Sequence, residues 1–156
     1  MISIIDFFIN LLSTFITPIS NLFKKLTIKI DDVDCHLNKP PIPDGEGGFF
    51  YGSYAYFTLS YINRKDKHVI IENIHCVATQ NDVILQDSIA CKDKNSKKLI
   101  AKRPVYDHIS TLDITPQSSG KYEIVLNSSG DLSKCDKLTF CYSKGIRKSK
   151  IVIWQK

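Results

Sequence analysis

The hydrophobic period of this chain changes once, near residue 26. That change limits it to a helical lead-in followed by a β domain. Before the change, polar residues fall at Ser3, Asp6, Asn10, Ser13, Thr17, Ser20 and Lys24, three and four apart by turns. Large apolar residues fill the intervals, among them Ile4, Phe8, Leu11, Leu12, Phe15 and Ile19. On a helix this pattern leaves one narrow polar stripe on an apolar cylinder, which must bury its wide face in lipid or in protein. After Leu26 the period falls to two, with short β-branched runs, as in strands that pack on one face.

Residues 2–23 as one helix would be about 33 Å long, enough for a hydrocarbon core of about 30 Å. Asp6 lies near one end, where a charge is tolerated. The first cations are Lys24 and Lys25, on the C-terminal side of the apolar run. By the positive-inside rule they place the following domain in the cytoplasm. No basic segment precedes the run and no small-residue cleavage site follows it, so it does not read as a secretory signal. Pro18 can end the helix near Thr17. The shorter piece, about 24 Å, suits the membrane interface or the hydrophobic groove of a partner protein. The small hydroxyl and amide side chains of the stripe let helices pack closely and bond across the seam, so a membrane-held chain is expected to be a homo-oligomer.

The remainder is one domain. Hydrophobic content of 43% and charge content of 24% are those of a globular protein, and 156 residues suffice for one core and not for two. The expected organisation is an N-terminal amphipathic helix over 1–25, acting as a membrane anchor, and a β domain over 26–156. Strands are expected at 26–34, 52–62, 68–78, 83–91, 98–102, 109–115, 121–127, 137–143 and 148–155, separated by turn-forming clusters. Phe57, Leu59 and Tyr61 share one strand face, as do Ile70, Ile74 and Cys76 on the next. Ile151 and Ile153 face opposite Val152 and Trp154 in the last. Short strands at this spacing predict an antiparallel sandwich or small barrel.

One segment carries a resemblance. Leu112-Asp113-Ile114 followed by Ser119-Gly120-Lys121-Tyr122-Glu123-Ile124 resembles the corner before strand F of immunoglobulin-like domains, where a tyrosine folds back onto upstream backbone. The resemblance implies that Tyr122 is the corner tyrosine and that Ile124 takes the place of the disulfide cysteine. With no cysteine there and the only tryptophan in the last strand, it implies a fibronectin-III-like or divergent sandwich. It implies no activity.

Candidate chemistry is sparse. The five cysteines are odd in number and follow no framework spacing, so they read as reduced thiols in the cytoplasm. Cys35-His36 and His75-Cys76 pair zinc-ligand types, but strand neighbours point to opposite faces, so each pair offers one ligand easily. Asp31, Asp32, Asp34, Asp44 and Glu46 lack the fixed spacing of a calcium loop. Asp107, His108 and Ser110 sit together without a nucleophile elbow. No catalytic residue, metal or cofactor is expected. Two basic clusters remain. One includes Lys97, Lys98 and Arg103, and the other Lys144, Arg147 and Lys148. Both suit anionic partners: lipid head groups, nucleic acid or a nucleotide. A lysine-rich strand edge also deters sheet-to-sheet aggregation.

The function expected from these features is non-enzymatic. The chain reads as a membrane-associated binding module that self-associates through its helix and binds a partner with its sandwich. Two alternatives fit the same features: a membrane-permeabilising toxin or defence effector with oligomerising helices, and a soluble subunit whose helix docks into a partner.

Overall fold

A computed structural model of the chain describes residues 25–37, 42–43, 49–50, 52–100, 103–128 and 130–156, with side chains given at all of these except 42, 43, 49, 50, 103 and 104. The helix expected over 1–25, with its seam and apolar face, lies outside the described residues apart from Lys25. Among the described residues, no helix is long and apolar enough to cross a membrane.

Among the described residues there are thirteen strands: β1 (Leu26–His36), β2 (Ile42–Pro43), β3 (Phe49–Phe50), β4 (Tyr54–Asn63), β5 (Val69–Gln80), β6 (Val83–Ala90), β7 (Lys92–Asp93), β8 (Lys98–Ile100), β9 (Arg103–Val105), β10 (Leu112–Ile114), β11 (Ser118–Asn127), β12 (Lys137–Lys144) and β13 (Arg147–Gln155). A 3-10 turn, Lys94–Ser96, interrupts them, started by the Asp93 side chain accepting from Asn95 N–H. The first sheet runs β1-β4-β11-β7. The second runs β13-β12-β5, with β10 and β6 both pairing β5. All pairings within these two sheets are antiparallel.

The two sheets share one core, as period-2 patterning requires. Ala55, Phe57 and Leu59 of β4 and Ile124 and Leu126 of β11 meet Ile71, Ile74 and Cys76 of β5 and Leu138 and Phe140 of β12. Phe57 and Phe140 touch edge to face across the sandwich, with ring centroids 5.9 Å apart and planes at 71°, a geometry the ring quadrupoles favour.

Three sequence expectations need correction. Ile70 does not share the inner face with Ile74 and Cys76. Asn73 takes a left-handed backbone (φ 53) and inserts an extra residue, so the alternation reverses upstream of it. Ile71 is therefore fully buried, while Ile70 is 50% exposed. Trp154 does not face away from Ile153. A one-residue slip opposite Leu138 and Thr139 lets both pack on the core. Nor does Tyr122 form a corner. The segment that contains it is β11 itself, and Tyr122 lies mid-strand, opposite Leu59 and stacked on Tyr61 at 5.9 Å. Gly120 leaves room for that stack, since a Cβ there would lie 2.6 Å from Tyr61 Oη.

Candidate functional site

The outer face of the second sheet forms a broad concavity. Alternation builds it: Leu138 and Phe140 of β12 point inward, so Thr139, Cys141 and Ser143 point out. Ile74, Cys76 and Ala78 of β5 likewise leave His75, Val77 and Thr79 outside. With Ile84 of β6 and Val152 of β13 these line a groove of about 1120 Å³. Its floor is hydroxyl and β-branched. Lys148 and Lys150 line it from β13, and Lys137 at the start of β12 pairs closely with Asp82.

The structure sets a cysteine, a histidine and an aspartate side by side on this face. Cys141 is the cross-strand partner of His75, and Asp87 Oδ1 lies 3.9 Å from His75 Nε2. Their chemistry does not suit nucleophilic catalysis. Burial pushes the Cys141 thiol up, with only partial relief from the charge on Lys150, so the reactive thiolate is disfavoured. His75 Nδ1 is engaged by the Asn73 carbonyl at 2.7 Å, and Nε2 lies toward Asp87. Both ring nitrogens are thus directed elsewhere than the thiol. The sequence reading missed this grouping because the three residues lie on three strands, and only the pairing register unites them.

The other candidates separate. Cys76 is fully buried, 3.8 Å from Cys91 Sγ, while its neighbour His75 is outside. That separation exceeds an S–S bond of about 2.05 Å, so no disulfide joins the pair in this structure. Burial holds the Cys76 and Cys135 thiols high and pushes Cys35 up to about 12. Among the described residues no group of three or more His, Cys, Asp or Glu side chains could hold a metal ion. Asp107 is not part of a triad. Both its oxygens accept from Lys98 Nζ at 3.1 Å, and its N–H donates to Ser96 Oγ. Asp32 and Asp34 join Tyr56, Lys94, Tyr106 and Glu123 around a smaller notch of about 550 Å³.

The two basic clusters differ in kind. In the first, Lys98 is paired with Asp107, and Lys94 pairs with Glu123 at 3.5 Å while lying 5.4 Å above the Tyr56 ring centre. Lys97 is exposed beside the notch, and Arg103 is described by its backbone alone, in β9. In the second, Lys144 and Arg147 face each other across the β12–β13 hairpin, and Lys148 follows opposite Ser143. Here the fold adds Lys65 and Lys67, from the loop between β4 and β5. The Lys65 ammonium lies against that of Lys144. This contact, burial, and the charges of Lys65, Arg147 and Lys67 hold the Lys144 pKa below the usual lysine value. A proton is easier to lose there because cations outweigh anions locally.

Asn63 holds this arrangement. Its buried side chain directs the two Nδ2 hydrogens at the carbonyls of Lys67 (3.1 Å), Ile114 (3.3 Å) and Thr115 (2.8 Å), one hydrogen being shared, and its Oδ1 accepts from Lys65 N–H at 3.0 Å. The lysine-bearing loop between β4 and β5 is thereby tied to the turn between β10 and β11. The Gln117 N–H adds a bond to the Lys65 carbonyl at 3.1 Å.

Comparison with known proteins finds no match: no family model, no curated protein and no solved structure is significantly similar to the chain.

Proposed function

We propose that this protein is a non-enzymatic binding module held at a membrane by residues 1–25, self-associating through the seam of Ser3, Asp6, Asn10, Ser13 and Thr17. Its sandwich is a divergent immunoglobulin or fibronectin-III-like domain. The observation that carries the binding role is the groove across β6, β5, β12 and β13. It is wide, aliphatic at Val77, Ile84 and Val152, and edged by lysines. Such a face suits a protein surface with an aliphatic centre and an acidic rim. The raised thiols of Cys35, Cys76, Cys135 and Cys141 support a recognition role over covalent chemistry.

Strand order supports the fold assignment. β1-β4-β11-β7 against β6-β5-β12-β13 follows the A-B-E-D and C′-C-F-G order of immunoglobulin-like sandwiches. In that frame β4 and β12 stand where the disulfide-bearing strands B and F would, and Phe57 and Phe140 make the cross-sheet contact between them. The polar-striped N-terminal segment supports the membrane role.

Flotation of the full chain with neutral phosphatidylcholine vesicles, followed by cross-linking, tests the reading. The wild-type chain should float and cross-link as an oligomer, and Leu12→Asp should do neither. A wild-type chain that stays in the aqueous fraction as a monomer overturns it.

A further inference from the structure

The N-terminal segment joins the sandwich at a definite place. The Lys25 carbonyl accepts from Arg64 N–H at 3.3 Å, and Leu26 pairs with Asn63. Lys25, the first described residue, therefore lies at the end of the sandwich that carries the β4–β5 loop. The β12–β13 hairpin turns at this same end, because Ser143 pairs with Glu72 near the start of β5. One end thus gathers Lys25, Arg64, Lys65, Lys67, Lys144 and Arg147, contributed by three separate stretches of chain. The acid within the loop, Asp66, accepts from Gln117 Nε2 on the neighbouring turn.

The tip of the hairpin adds an apolar group among these charges. Ile146 is 99% exposed between Lys144 and Arg147. Gly145 precedes it in the left-handed conformation (φ 55) that a two-residue hairpin turn demands, with nothing within 4 Å of its side-chain position. The tip therefore stands clear of the domain. A solvated isoleucine ringed by cations gains nothing from a phosphate-rich duplex. It gains at a bilayer surface, where head-group phosphates and the acyl boundary lie a few ångströms apart.

We propose that this end of the sandwich is a docking surface for an anionic lipid bilayer, with Lys65, Lys67, Lys144 and Arg147 on the head groups and Ile146 at the acyl boundary. The inference rests on the membrane-held reading above and adds to it a lipid charge preference and a fixed orientation, strand ends toward the membrane. The lowered pKa of Lys144 agrees, since an arriving phosphate relieves the mutual repulsion of the cations.

The test is flotation of the full chain with phosphatidylcholine vesicles and with vesicles containing three parts in ten phosphatidylserine. Binding to the neutral vesicles reads residues 1–23. The ratio of anionic to neutral partitioning reads the basic end. In Lys65→Gln/Lys144→Gln/Arg147→Gln that ratio should fall roughly 100-fold, from the about five-fold that each surface cation contributes, while neutral partitioning stays unchanged. Leu12→Asp should lose neutral binding yet keep salt-sensitive binding to the anionic vesicles. Ile146→Ser, at a position with no packing to lose, should release faster from anionic vesicles. An unchanged ratio in the triple variant overturns the docking surface while leaving the anchor intact. Absence of neutral binding by the wild-type chain instead overturns the anchor. Release of Leu12→Asp from anionic vesicles by duplex DNA at equal phosphate overturns the lipid assignment in favour of nucleic acid.

Discussion

The amide of Asn63 ties the basic end together, and its removal gives a quantitative test of that geometry. In Asn63→Ala three carbonyls lose a donor and Lys65 N–H loses its acceptor. The Ile114 carbonyl lies in a buried bond, whereas those of Lys67 and Thr115 are in part-buried ones and can recover water. A stranded buried polar group costs about 1–3 kcal/mol, and the partly exposed ones less, so a total of roughly 2–4 kcal/mol is expected. At about 3 °C per kcal/mol for a domain of this size, the melting temperature should drop by roughly 6–12 °C. Thermal unfolding followed by circular dichroism, with urea titration for the free energy, measures this. Asn63→Asp sharpens the test. It keeps the shape but sets a carboxylate oxygen against three carbonyl oxygens, so it should be worse than alanine at neutral pH. Repulsion raises the folded-state pKa of the new carboxyl above its unfolded value. Its protonated form is therefore the one the fold accepts, and the deficit relative to Asn63→Ala should shrink as pH falls. A melting temperature within 2 °C of wild type for Asn63→Ala, or a deficit for Asn63→Asp that grows on acidification, refutes the assigned bonding.

Other outcomes follow from the packing of the same sandwich. Phe140→Ala empties the centre of the cross-sheet contact and should cost about 3–5 kcal/mol in urea unfolding. Gly120→Ala drives a methyl group into the Tyr61 ring. That ring must swing away, so the Tyr61–Tyr122 stack should be lost, seen as a change in near-ultraviolet circular dichroism, at a modest cost of about 1 kcal/mol. Thiol titration of the native protein at pH 8 should leave Cys76, Cys91 and Cys135 unmodified, and all five cysteines should react once it unfolds. The fold raises the Cys35 pKa from 9.0 to about 12, so the stability it contributes is present below pH 9 and lost as pH climbs toward 12. The gap in urea midpoint between wild type and Cys35→Ala should narrow across that window, and a gap that widens contradicts the burial.

Much of the strand layout follows from local pattern. The runs beginning near Leu26, Tyr54, Val69, Val83, Lys137 and Arg147 become strands because β-branched and aromatic residues alternate with polar ones there. Phe57 and Leu59 point inward as alternation requires. Where pattern misled, a single backbone irregularity is the cause. Asn73 at positive φ moves Ile71 rather than Ile70 into the core, and the slip opposite Leu138 and Thr139 brings Trp154 onto it. The segment around Tyr122 resembles a corner locally, yet ten ladder pairs with β4 make it a central strand. A corner and a strand share their residue types, and only the partner distinguishes them.

The site was less legible than the fold. Local chemistry identified Lys144, Arg147 and Lys148 as a basic group, and His75 and Cys76 as strand neighbours on opposite faces. Which distant groups complete each set depended on the pairing of the strands. Lys65 lies beside Lys144 because the pairing of β12 with β5 brings the β12–β13 hairpin to the end that carries the β4–β5 loop. His75 meets Cys141 because β5 and β12 pair in a particular register. The sequence by itself determined the change of period at Leu26, the strand-forming runs and the unbroken inner faces, all properties of residues close together in the chain. Tertiary structure alone decided the end at which charge accumulates and the face that becomes a groove. Those depend on ladder register between strands tens of residues apart, which a one-residue slip resets and no local pattern encodes.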